Sequence, residues 1–171
     1  MARNIEIKAR VRDAAATERC VREWATAGPQ DLSQDDTFFH CPAGRLKLRE
    51  FGDGQGELIF YRRADQSGPK ESFYARAPAA DPGALREVLG HAMGQGGRVI
   101  KQRRVYWFGR TRIHLDRVDG LGDFLELEVV LNEDEASEHG VQEARALMMR
   151  IGIALDDLLE CSYLDLLRSQ G

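Results

Sequence analysis

The sequence predicts an α+β domain made mainly of antiparallel strands. Three observations lead there. Residues 4–12 alternate without a break, with Ile5, Ile7, Ala9 and Val11 on one face and Asn4, Glu6, Lys8, Arg10 and Arg12 on the other. That is the two-residue period of a strand. The habit recurs in about eight segments, most of them separated by loops of hairpin length. Between groups of strands lie stretches whose apolar residues have helical spacing.

Taken in order, Asp13 can cap a helix with Cys20, Val21 and Trp24 as its stripe, ended by Gly28-Pro29. A short strand is expected at Thr37 to Cys41. The next, Arg45 to Arg49, sets three cations opposite two leucines. Glu57 to Arg63 and Lys70 to Arg76 form a pair of strands around Ser67-Gly68-Pro69. Asp81-Pro82 opens a helix with Leu85, Val88, Leu89 and Met93. Strands follow at Val99 to Phe108, Arg110 to Arg117 and Asp123 to Leu131. Val141, Ala144, Leu147, Met148 and Ile151 mark a helix stopped at Gly152, and a last helix is expected from Leu158 to Leu167. No repeat or linker divides the chain, so residues 1–171 read as one domain.

Bulk properties narrow the function classes. Apolar residues make up 43% and charged residues 30%, as in an ordinary globular protein. A net charge of −4 argues against a general nucleic-acid binder. No apolar run reaches the roughly 20 residues of a membrane helix, and no signal peptide precedes the first strand. Cys20, Cys41 and Cys161 lack metal-ligand spacing and read as reduced thiols, giving a cytoplasmic expectation. A monomer or a homodimer fits equally.

The charged faces hold the functional signal. Lys8, Arg10, Arg45, Lys47, Arg49, Lys101, Arg103 and Arg112 are cations, whereas the acids Glu6, Asp116, Glu126 and Glu128 concentrate on the first and last strands. These faces either meet water on an open sheet or line a barrel; periodicity leaves both open. Like charges on neighbouring strands repel, so clustered cations make sense around an anion, and Arg and Lys suit phosphate oxygens. Glu126 and Glu128, two residues apart on one strand, can share a hard cation such as Mg²⁺ or Mn²⁺. Asp116 has a second reading as the structural partner of Arg112 or Arg10. His114 reads either as an acid–base group or as a packing residue.

These residues resemble a known family. Asn4-Ile-Glu-Ile-Lys8 is similar to the Glu-x-Glu-x-Lys signature strand of the CYTH superfamily, the triphosphate tunnel metalloenzymes. Arg45-Leu-Lys-Leu-Arg49, Arg62, Lys101-Gln-Arg103 and Glu126-Leu-Glu128 follow in matching order. Lys101 to Gly109 followed by Gly120-Leu-Gly-Asp-Phe-Leu-Glu126 is most similar to class IV adenylyl cyclases. The resemblance implies an eight-stranded antiparallel β-barrel with helices outside, enclosing a tunnel for a triphosphate and divalent metal. It implies Glu6, Glu126 and Glu128 as metal ligands, with Asp116 near them. Lys8, Arg49, Arg62, Lys101 and Arg103 are implied phosphate ligands, joined by Arg45, Lys47 and Arg112. Glu6, Lys8, Asp116 and Glu126 carry the implied catalytic roles. Asn4 departs from the pattern by offering a carbonyl oxygen but no charge.

Three activities are compatible with such a site. One is cyclisation of ATP to cyclic AMP and pyrophosphate. Another is hydrolysis of tripolyphosphate, thiamine triphosphate or a nucleotide. The third is triphosphate binding without turnover, which Asn4 motivates. No nucleic-acid or membrane partner is expected.

Overall fold

The computed structural model describes residues 2–170. Within them, eight strands close into an antiparallel barrel in the order β1-β5-β4-β3-β2-β6-β7-β8. The strands are β1 (Ala2–Arg10), β2 (Ala27–Phe39), β3 (Arg45–Phe51), β4 (Gly56–Arg63), β5 (Lys70–Ala79), β6 (Gln95–Phe108), β7 (Thr111–Val118) and β8 (Gly122–Val130). Four helices lie outside: α1 (Ala14–Arg22), α2 (Pro82–Met93), α3 (Ser137–Ile151) and α4 (Tyr163–Arg168). Closure leaves no strand edge unpaired. Among the described residues, no helix is long and apolar enough to cross a membrane. The three cysteines are free.

The barrel is inside-out relative to an ordinary core. On β1 and β8 the apolar positions Ile5, Ile7, Leu125, Leu127 and Val129 point outward, where they pack with Val21 of α1 and Ala144, Leu147 and Met148 of α3. Full burial of such side chains stabilises by about 1.5–3 kcal/mol each. Phe39, Leu48 and Ala79 form a second outer cluster with Leu85, Leu89 and Met93 of α2. A third, of Phe38, Val99, Val118 and Phe124, meets Tyr163 and Leu164 of α4 and fills the barrel at one end. Gly140 brings α3 close to β1, because a Cβ there would lie 2.7 Å from both Ile5 Cγ1 and Leu131 Cδ2.

Helix ends follow the expected capping chemistry. Asp13 and Asp81 accept from the amides of Ala16 and Ala84, each at 2.9 Å. Gly152 ends α3 in the left-handed conformation, φ 80°. Two expected boundaries are corrected. The first helix stops at Arg22, and Gly28-Pro29 belongs to β2, which runs 13 residues rather than beginning at Thr37. The last helix starts at Tyr163, where Ser162 and Asp165 form a capping box; a single 3-10 turn, Leu155–Asp157, precedes it.

Candidate active site

The inward positions line a cavity of about 330 Å³ running through the barrel. Register places the charges in two opposed groups. On one wall, Glu6 of β1 faces Glu128 of β8, which faces Arg112 of β7; one step along, Lys8 faces Glu126, which faces His114. On the other wall, Asp36 of β2 faces Arg49 of β3, with Lys101 of β6 close by.

The acidic wall is the candidate metal centre. Ligand atoms of His114, Glu126 and Glu128 lie within 4.8 Å of one another. Lys8 contacts Glu126 at 2.9 Å, and Arg112 contacts Glu128 at 2.7 Å. Burial alone would raise the Glu126 carboxyl, yet Lys8 and Arg103 outweigh it and hold it well below the usual range. Glu128 is likewise raised by burial but drawn down to about 2 by His114 and Arg112. Both are therefore ionised at neutral pH, as metal ligands must be. Asn4 points into the same cavity only 3% exposed, and its Oδ1 has no hydrogen-bond partner. Two ionised carboxylates and an imidazole fit a divalent cation, and the orphaned carbonyl oxygen of Asn4 lines the same cavity.

The cationic groups are held by internal acids. Arg103 grips Asp116 through two hydrogen bonds, 2.7 and 2.6 Å, and reaches Glu126 at 2.5 Å. Tyr163 of α4 donates to Asp116 at 2.9 Å, and Lys8 lies 3.7 Å from the centre of its ring. Asp36 accepts from Arg49, Lys47 and Lys101. Burial, then repulsion from Arg49, lowers the Lys47 ammonium to about 7 despite Asp36.

The structure brings Glu6, Lys8, Lys47, Arg49, Lys101, Arg103, Arg112, Glu126 and Glu128 to the cavity wall. Three expected residues lie elsewhere. Arg62 is a correction: it sits on the outer face of β4 and is exposed, while Arg63 points inward and pairs with Glu6. Alternation along Glu57, Ile59, Tyr61 and Arg63 dictates this. Arg45 is drawn away from the cavity by Asp65 and Asp165, at 2.9 and 3.3 Å. Asp116 lies behind Arg103 and does not line the cavity; its partner is Arg103, neither Arg112 nor Arg10.

Residues not anticipated as site members are Asp36, Arg63 and Lys70. Lys70 is 1% exposed and donates to the carbonyls of Gln66, Leu159 and Glu160. A simple comparison separates the tandem arginines. Arg63→Gln is expected to weaken tripolyphosphate binding by roughly tenfold or more, whereas Arg62→Gln leaves it unchanged; calorimetric titration of both variants checks this.

The strands form a closed antiparallel barrel with apolar faces outside and ion pairs lining its lumen. The chain matches the CYTH domain over residues 2–163 and belongs to that family. It is 23% identical to adenylate cyclase CyaB of Aeromonas hydrophila, across 78% of this chain and 72% of that protein. Among solved structures, a Pyrococcus horikoshii protein superposes with a TM-score of 0.85 at 24% identity, covering 95% of this chain and 98% of that one. A Hippeastrum protein with a dominant triphosphatase activity superposes with a TM-score of 0.63 at 19% identity, covering 98% and 96%. At these identities the structural likeness concerns the fold.

Proposed function

We propose that the tunnel binds a triphosphate together with Mg²⁺ or Mn²⁺ and that the protein is a metal-dependent enzyme of the adenylyl cyclase type, converting ATP to cyclic AMP and pyrophosphate. The observation that carries this is the opposition, inside one lumen, of an acidic wall with an orphaned carbonyl and a wall of converging cations. The named activity of the Aeromonas relative supports the choice of reaction.

Glu126, Glu128, His114 and Asn4 would hold the metal, with Glu6 completing the set once Arg63 turns to phosphate. When bound, the cation supplies charge neutralisation at the phosphate oxygens and acidifies an attacking hydroxyl. Lys8, Arg49, Arg63, Lys101 and Arg103 bind the phosphate oxygens and neutralise the leaving pyrophosphate. The cavity holds the 3′-hydroxyl near the α-phosphorus, and that orientation replaces covalent help from the protein. The internal ion pairs are resting partners: Lys8, Arg63 and Arg103 would release Glu126 and Glu6 on turning to the phosphate oxygens, and the freed carboxylates would be available to a cation.

Asn4 favours a second reading, triphosphate binding without turnover, because a metal set short of one carboxylate holds a divalent cation less tightly. The test incubates the protein with ATP, tripolyphosphate and thiamine triphosphate, each with Mg²⁺ or Mn²⁺, and resolves products by ion chromatography. Cyclic AMP with pyrophosphate is the expected result. Orthophosphate selects the hydrolase, and tight binding without product selects a binding module. Absence of both binding and turnover for every triphosphate overturns the proposal.

A further inference from the structure

Asp36 is the centre of the cationic wall. It is 1% exposed and accepts four hydrogen bonds: Arg49 Nε at 2.7 Å, Arg49 Nη2 at 2.8 Å, Lys47 Nζ at 2.9 Å and Lys101 Nζ at 3.0 Å. The donors come from β3 and β6, which flank β2 on either side and do not pair with each other. One carboxylate therefore draws together cations from two separate strands. Their side chains are 15%, 12% and 2% exposed for Lys47, Arg49 and Lys101, so little water is present to screen them.

Stability does not explain the arrangement. Ion groups buried this deeply seldom outperform apolar side chains of the same volume. Phe38 and Val99 line the same cavity, so apolar side chains already stand beside this charged group. The cations also have no other acid in direct contact: Arg103 is engaged by Asp116 and Glu126.

We propose that Asp36 is a positioning residue that keeps Lys47, Arg49 and Lys101 converged and charged before the triphosphate arrives. The inference rests on the triphosphate reading above and deepens it. Asp36 acts through the three cations rather than on the reacting phosphorus.

The surroundings of Lys47 give the proposal a distinct signature. It faces Asp36 on β2, Arg49 on its own strand, the ring of Tyr61 on β4 and Lys101 on β6. Behind Lys101 stand Arg103 and Asp116, with the Tyr163 ring of α4 beside it. Asp36 is the attractive charge nearest Lys47, and the others close to it repel. Without the carboxylate, burial and repulsion act on Lys47 unopposed and it sheds its proton at lower pH. Anion affinity then falls off earlier on the alkaline side.

The experiment titrates tripolyphosphate calorimetrically into the full chain, with and without Mg²⁺, from about pH 6 to about pH 8. The proteins are the unmodified chain, Asp36→Asn, and the double variant Asp36→Asn with Lys47→Gln, in which the repulsion is relieved and folding protected. Asp36→Asn is expected to bind roughly tenfold or more weakly near neutrality, with a steeper alkaline fall, and to raise KM far more than it lowers kcat. The double variant is expected to bind weakly with a shallower alkaline fall than Asp36→Asn, since Lys47 no longer contributes to it. A purely structural role would lower thermal stability without moving the pH profile. If either variant binds as tightly as the unmodified chain, the inference fails while the triphosphate reading stands. If the unmodified chain binds neither tripolyphosphate nor any nucleoside triphosphate, both fail.

Discussion

Glu126→Gln is expected to lower triphosphate turnover by roughly 100-fold or more while leaving the fold intact. Glutamine has the same shape but only one acceptor oxygen, which can serve either Lys8 or Arg103, so the barrel loses a charge and one of the two contacts. The charge is what matters. Glu126 is the residue at which both walls meet, touching Lys8, Arg103 and His114. Its removal leaves only Glu128 and the His114 imidazole of the three groups that lie within reach of one another. Titration of Mn²⁺ followed by paramagnetic resonance should show weaker uptake, independently of activity. Undiminished Mn²⁺ affinity in the variant would remove Glu126 from the metal site.

The second large effect is on stability. Arg103→Met should destabilise the protein by about 3–5 kcal/mol near neutral pH, the usual cost of orphaning a buried charge. Asp116 would lose its bidentate partner at a position whose side chain is wholly buried, keeping only the hydroxyl of Tyr163. In the unmodified chain burial raises the Asp116 carboxyl, but Arg103 outweighs burial and holds it below its ordinary value. That interaction stabilises above the unfolded carboxylate range and is lost as pH falls through the folded value. In the variant the sign reverses: burial dominates, the carboxyl is raised, and protonation on acidification relieves the penalty. The stability gap between the two proteins should therefore narrow from pH 7 toward about pH 4. Urea unfolding across that interval checks it; a gap that widens would contradict the buried-charge account.

How much of this was legible in the chain depended on whether a strand had one apolar face. β1 and β8 do, because α1 and α3 cover them, and their alternation fixes which residues look inward. Glu6, Lys8, Glu126 and Glu128 could thus be placed by counting. β2 has no such guide. Its outer face carries Asp31, Ser33 and Asp35, uncovered by any helix and paired with Arg104, Gln102 and Arg98 of β6. Its inner face carries Gln30, Gln34 and Asp36 toward the lumen. With acids on both faces, and only Leu32 and Phe38 as apolar inward residues, no clean apolar period sets the phase, and Asp36 is indistinguishable from its neighbour Asp35. The tandem Arg62-Arg63 failed for a related reason: a matching charge on either residue satisfies a motif, and only the parity with Ile59 and Tyr61 selects the second. His114 was visible on the charged face, but its closeness to both glutamates required the β7–β8 register.

The outward placement of the apolar core has a consequence for how such a protein can change. In most enzymes the residues that hold the fold and those that touch the ligand compete for the same interior. Here they occupy alternate positions of the same strands, so that along β1 and β8 even numbers face the lumen and odd numbers face the helices. Mutation can therefore retune the lumen at one parity while the other parity preserves folding, and sequences can drift far apart without losing the barrel. The same partition is intolerant of length: one inserted or deleted residue within a strand exchanges the two sets wholesale. Substitution is the permitted currency of variation inside these strands, and insertions belong in the turns.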